Sequence, residues 1–355
     1  MTTRRVVAFG GGHGLSASLR ALRHCAPELD LDITAVVTVG DDGGSSGRLR
    51  AERGGLPPGD LRQALVALAG DHPATRRSAG LFQHRFAAAP VGVPGSGATG
   101  PGPAAGGDAG RHGAAPRGTD GASAGTDGLA GHAVGNLVLC GLMELLGDPV
   151  AALEHAGAML GAVGRVLPMS RQPVGIEAQV RGADPAAPDD VCTVSGQHQV
   201  AVTTGRVESL RLTPSAPPAC AEAIEAIRAA DWLIFGPGSW FTSVLPHLLV
   251  PQLADAIVST SARRLVTLNL AAEKETLGLS VADHLAALHW YLPELKVDLV
   301  LADAKAVGDP EPVERAAESL GARLVLAPVA VVDGTPRHDP AALGAALVPV
   351  LGADR

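Results

Sequence analysis

The stretch VTVGDDGGSSGRLR, residues 37–50, sets two acids directly before glycines, serines and arginines. Carboxylates repel an anion, whereas a glycine and serine loop ahead of arginines attracts one. Both belong in one site if the ligand carries phosphates and hydroxyls together. Gly43, Gly44 and Gly47 permit a nest of backbone donors, and Ser45, Ser46 and Arg48 add charge-compatible bonds to a diphosphate. Asp41 and Asp42 either hold Mg²⁺ beside that diphosphate or accept bonds from ribose or sugar hydroxyls. A nucleotide sugar offers both kinds of group.

Two further loops share this character. In GGGHGLS, residues 10–16, Gly11, Gly12 and Gly14 bring backbone N–H groups to a helix start, where phosphate binds. Leu15 stands where a dinucleotide fingerprint requires its third glycine, and no lysine follows as in a P-loop, so neither NAD nor ATP is indicated. Taken alone, this loop reads equally well as a turn that only packs, and His13 within it as a space-filling or hydrogen-bonding side chain. In FGPGSWFTSV, residues 235–244, Gly236 and Gly238 open the backbone, Pro237 stiffens it, and Ser239 and Thr242 begin a helix facing the ligand. Trp240 and Phe241 offer one ring to stack on a base or sugar and one for the core. Asn136 in GHAVGN and Asn269 in TLNL reach the cleft from a helix start and a strand end, or bond backbone only. Asp60 reads as a helix N-cap. The histidines, His132 included, lack HExxH or other paired ligand spacing, so a zinc site is not expected.

These loops need strands to end at one rim. RRVVAFG (4–10) and DITAVVTVG (32–40) flank a helical run, LSASLRALRHC, which makes a βαβ unit and a parallel sheet. Strand-like and helix-like segments alternate again from about residue 217 to the end. The pattern predicts a doubly wound, Rossmann-like α/β fold with a mainly parallel sheet and its ligand outside the strands' carboxyl ends. Residues 165–213 alternate in short runs split by Gly, Pro and Asp, which predicts a small antiparallel β insertion. Residues 87–128 are almost wholly Gly, Ala, Pro, Ser, Thr and Asp, the composition of a disordered loop insert within a single domain spanning 1–355.

With 355 residues and 46% hydrophobic content the chain can bury a large core. A formal net charge of -8 gives no basic field for nucleic acid or an anionic membrane. No apolar stretch is long enough to span a bilayer and no signal peptide fits, so a soluble cytoplasmic protein is expected. Cys25, Cys140, Cys192 and Cys220 are far apart, as buried thiols of a reducing compartment would be.

Taken together, GGGHGLS, DITAVVTVGDDGGSSGRLR, LPPGDLRQALVAL, LFQHRF, GHAVGNL, GRVLPMS, ADWLIFGPGSWFTSVLPHLLV and the terminal RHD resemble the YvcK family, the gluconeogenesis factors. That family shares a superfamily with the 2-phospho-L-lactate transferases. The resemblance implies a UDP-sugar ligand such as UDP-N-acetylglucosamine and a cytoplasmic role in cell shape and wall synthesis during gluconeogenic growth. It also implies contacts to the nucleotide sugar from Phe241 and Arg337. Phe241 stands where tyrosine is common, and NLAAEKETLGLS shortens a loop in which Glu275, Thr276 and Gly278 remain. Three readings follow: a ligand-binding regulator without turnover, with protein partners in cell-wall regulation and possible self-association; a Mg²⁺-assisted transferase of the phospholactate type; and a scaffold that acts through its insert.

Overall fold

The first strand is β1 (Arg4–Gly10), in which Val6, Val7, Ala8 and Phe9 are all buried. A run with no polar face belongs inside a parallel sheet covered by helices on both sides. The computed structural model, which describes residues 2–88, 127–276 and 278–353, puts it there. The other strands are β2 (Leu31–Val37), β3 (Arg165–Pro168), β4 (Gly175–Arg181), β5 (Val191–Ser195), β6 (Arg206–Thr213), β7 (Trp232–Phe235), β8 (Arg263–Thr267), β9 (Leu299–Asp303) and β10 (Arg323–Ala327). Seven of them form a parallel sheet in the order β10-β9-β8-β7-β1-β2-β3. The remaining three form an antiparallel sheet, β5-β4-β6.

That order fixes the position of the site. From β1 the chain builds outward to β2 and β3, and then returns to the other side of β1 with β7, β8, β9 and β10. The reversal falls between β1 and β7, which pair from Val6 with Trp232 to Phe9 with Phe235. Phe9 and Phe235 stack at 4.8 Å between ring centroids, and the buried His247 meets Phe9 edge-on. Loops leaving two strands on either side of such a reversal part and leave a crevice at the carboxyl edge. The glycine loops after β1 and β7 flank that crevice.

Several details differ from the sequence reading. Arg165–Pro168 was expected in the antiparallel layer, but it extends the parallel sheet beside β2, and just beyond it the Met169 and Val174 N–H groups donate to the carbonyls of Val37 and Val39. GSSGRLRAER is not an open loop but a helix, Gly44–Arg53, closed by Gly54 in the left-handed region. Its glycines and serines hide its helical character from propensity. The helices Pro73–Gln83 and Gln197–Val202 were also not foreseen. The run after Ser239 is not one helix. It opens as a π-helical turn, Trp240–Val244, tightens at Leu245–Leu249, and resumes as a helix at Pro251, where proline cannot continue the preceding turn. The insert read at 87–128 lies outside the described residues, apart from Ala87, Ala88, Asp127 and Gly128. Among the described residues no single helix is long and apolar enough to cross a membrane. Of the four cysteines, Cys25 and Cys220 are buried, Cys140 is half-buried and Cys192 is exposed.

The first and third loops meet backbone to backbone. A Cβ built on Gly14 would lie 2.2 Å from the Pro237 carbonyl oxygen and 2.4 Å from the Gly238 Cα. Neither obstacle is a flexible side-chain tip, so any larger residue must push the two loops apart. Gly14→Ala should therefore lower stability by roughly 2 kcal/mol or more in urea unfolding. An unchanged midpoint would show that the loops are not in contact.

Candidate functional site

Around that contact lies a cleft of about 1120 Å³. Gly11, Gly12 and Gly14 line it from the first loop, Asp41 from the second, and Gly238, Ser239 and Thr242 from the third. Asn269 at the end of β8 and Arg337 near the last helix complete the opposite wall. A side chamber of about 360 Å³ adjoins it and is lined by Gly44, Ser45, Ser46 and Asn136. The two share Asp41, Arg62, Gln63, Arg85 and His198. Among the residues singled out from the sequence, Asp42, Arg48, Gly236 and Phe241 are four that face neither space.

Each of those four has a structural task. Asp42 accepts a 2.8 Å bond from the His198 N–H and so caps the short helix Gln197–Val202. Arg48 donates to the Ala130 carbonyl at 2.8 Å, and Arg50 donates to that of Gly40. Because the Gly44–Arg53 segment is helical, its arginines leave from later turns and miss the ligand space. Gly236 accepts from the Ser18 hydroxyl at 2.8 Å, tying the third loop to the first helix. Phe241 and Trp240 are both buried, so neither ring is a platform for a base. The π-helical turn carries both aromatics into the core and presents Thr242 and Ser243 to the cleft.

The third loop is held from below by acids and an amide. Asn269 accepts from the Gly238 N–H and donates to the Gly238 carbonyl, both at 2.9 Å, which ties down the peptide groups on both sides of the Gly238 Cα. Ser239 donates to Glu273, and the Phe241 N–H donates to Glu275 at 2.9 Å. Burial is the main cause that pushes Glu275 up to about 7. Arg337 is exposed and pairs with Asp333 at 2.9 Å, within reach of solvent-borne anions.

The second loop brings together a different pair of acids from the one expected. Asp41 accepts from the Gly43 N–H at 3.0 Å, while its other oxygen would lie 2.5 Å from a Cβ at Gly59. Its partner across the cleft is Asp60, not Asp42. Asp60 is no N-cap: the helix Pro58–Leu68 begins before it, and its side chain is buried beneath the first loop. There it accepts from Thr38 at 3.2 Å, against a Gly11 whose Cβ would lie 2.4 Å from its carboxylate. Burial first, and then the charge of Asp41, push Asp60 up to about 7, opposed by bonds from Thr38 and the Gly12 backbone.

Between the two chambers sit two arginines that the sequence reading passed over. Arg62 is buried, donating to Asn136 at 2.8 Å and to Gln83. Asn136 in turn donates to Ser45 at 3.0 Å, and Ser45 bonds His132 at 2.9 Å. Burial and the neighbouring Arg85 draw Arg62 down to about 10, against the pull of Asp60 and Asp41. The spacing of Asp60 and Arg62 in PGDLRQ, on a helix start that follows Pro57 and Pro58, was the available signal for both residues.

Comparison with known proteins matches residues 6–325 to the family described as 2-phospho-L-lactate transferase CofD. A putative gluconeogenesis factor of Mycobacterium tuberculosis is 46% identical over 99% of this chain and 92% of its own length. A gluconeogenesis factor of Bacillus subtilis is 34% identical over 90% of this chain and 84% of its own. The crystal structure of a UPF0052-family protein from Bacillus halodurans superposes with a TM-score of 0.75 at 31% identity, covering 98% of this chain and all of that one.

Burial of Asp60 makes the stability of the fold depend on pH. The folded pKa of Asp60 lies above its unfolded one, so the stability contributed by the protonated form is complete below about pH 4 and is lost as pH rises through about 7. Asparagine keeps an acceptor for the Gly12 N–H and never ionises. Urea unfolding at pH 5 and pH 8 should show the unsubstituted protein losing about 2 kcal/mol or more relative to Asp60→Asn. Parallel behaviour of the two proteins would mean that Asp60 is not buried as described.

Proposed function

The chain belongs to the CofD family, and on that premise we propose that it binds a UDP-sugar, such as UDP-N-acetylglucosamine, as a regulatory factor. Its cellular role in this reading is cytoplasmic, in cell shape and wall synthesis during growth on gluconeogenic carbon sources. The observation that carries the reading is the contact of Gly14 with Pro237 and Gly238. It sets the free N–H groups of one helix start against a second open backbone, and both line one cleft with Asp41 and Asp60.

A diphosphate lies between the first and third loops, where backbone donors meet it without a lysine or a P-loop. Arg337 supplies its countercharge from the rim. Ribose or sugar hydroxyls take the side of Asp41 and Asp60, where carboxylates accept bonds that an anion would repel. Two carboxylates beside a diphosphate also suit Mg²⁺, which keeps several waters and binds one or two acids plus phosphate oxygens. When bound, the ion would be held by Asp41 and Asp60 and would neutralise charge on the diphosphate. The base has no aromatic platform from Phe241 or Trp240, so recognition rests on polar contacts and on the shape of the cleft.

The pairing of Asp41 with Asp60 favours one second reading, a phospholactate-type transfer from a nucleotide diphosphate donor to a deazaflavin acceptor. In that reading the chain's own residues act by positioning and by charge neutralisation. Incubation with both substrates and Mg²⁺ separates the readings: a new phosphodiester supports transfer, and none across several divalent metals supports binding alone.

Calorimetry with UDP-N-acetylglucosamine tests the first reading. Arg337→Ala should weaken binding about tenfold or more, the loss of one bond to a charged group. Equal affinity would remove Arg337 from the site, and no measurable affinity in the unsubstituted protein would remove the ligand.

A further inference from the structure

The side chamber adjoins the large cleft, but the glycine loops after β1 and β7 do not line it. It is built from the start of the helix Gly44–Arg53, from Asn136, and from the two arginines at the junction. Neither chamber lining is shared in full: Gly11, Gly14 and Gly238 face only the large cleft, and Ser45 and Ser46 face only the small one. The first N–H groups of a helix have no partner within it and carry the positive end of its dipole.

A second observation points to a ligand there. Ser46 is 2% exposed and lines the chamber, yet its hydroxyl has no hydrogen-bond partner among the described residues. It is placed deliberately. A Cβ on Gly59 would lie 2.3 Å from the Ser46 Oγ and 2.5 Å from the Asp41 carboxylate, so only glycine leaves room for both oxygens at the chamber wall. Arg62 meanwhile spends bonds on Asn136 and Gln83, and Arg85 on the Gly131 carbonyl, which leaves further guanidinium N–H groups on each. Two like charges held together at a pocket mouth are relieved by an anion between them.

We propose that the side chamber is a second anion site, one that takes a compact phosphate group beside the nucleotide sugar in the large cleft. The donors are the Gly44–Ser46 helix start, the Ser46 hydroxyl, Arg62 and Arg85. Asp41 at the inner edge narrows the choice of anion. A phosphate ester still carries a proton over part of the physiological range and can donate it to that carboxylate, whereas sulfate has none to give. The inference rests on the nucleotide-sugar reading only for what occupies the neighbouring cleft. The phosphate belongs to a separate small molecule, because the diphosphate of the nucleotide sugar is already placed between the first and third loops.

Inorganic phosphate is the probe, titrated calorimetrically into the full chain near pH 6.5, alone and with saturating UDP-N-acetylglucosamine. Phosphate should bind in both cases and more tightly than sulfate. Its affinity should fall about tenfold in Ser46→Ala, which breaks no bond within the protein, and further in Arg85→Glu. Thermal unfolding checks that both variants are folded. Binding that is absent, or equal in Ser46→Ala, overturns the site. Displacement of phosphate by the nucleotide sugar overturns its independence and makes it a subsite of the same ligand. Phosphate binding with no affinity for the nucleotide sugar would leave this site standing while the first reading fell.

Discussion

Everything in the binding region depends on two stretches of backbone touching where side chains are absent. Gly14 opens the first helix and lies directly on Pro237 and Gly238, the corner that ends β7. The sheet order makes the meeting possible, since β1 and β7 are the strands between which the chain reverses direction. Only glycine permits its closeness. Asn269 then holds the peptide groups on both sides of the Gly238 Cα, and Ser18 holds Gly236, so the corner is tied to the rest of the fold at two points. Backbone donors aimed in advance at an anion need little reordering when it arrives.

Charge is distributed about that platform in an order that a single ligand can satisfy. Asp41 and Asp60 stand on one side, with Asp60 held partly protonated near neutral pH by burial and by its neighbour. Arg62 stands behind them and compensates part of that charge, with Arg85 beside it at the junction of the two chambers. Buried groups of opposite sign, each linked to neutral hydrogen-bond partners, resist rearrangement more than they add stability. The chain from Arg62 through Asn136 and Ser45 to His132 links the arginine to such neutral partners, and it spans three separate segments of sequence.

Much of this was readable from residues alone, for physical reasons that differ by element. Buried parallel strands announce themselves as unbroken apolar runs, so β1, β2, β7, β8 and β9 and the doubly wound class followed from the sequence. The glycine corners were legible because glycine after a strand and before a helix has few other uses. What failed was anything settled by direction. DDGGSSGRLR looks like a loop, but it winds into a helix, and winding sends Arg48 and Arg50 to the carbonyls of Ala130 and Gly40. Asp42 turns outward to cap Gln197–Val202, and Asp60, legible only as a cap, turns inward instead. Phe241 depends on a π-helical turn that no periodicity announces. Arg85 pairs with Arg62 only through tertiary structure. The Gly and Pro content of 87–128 gave a composition but no position.

The decisive measurement is a crystal structure of the chain with UDP-N-acetylglucosamine bound. The diphosphate should lie between the N–H groups of Gly12–Gly14 and those of Gly238 and Ser239, with sugar or ribose hydroxyls toward Asp41 and Asp60. A nucleotide sugar found on another face of the sheet, with the two glycine corners empty, would contradict the account.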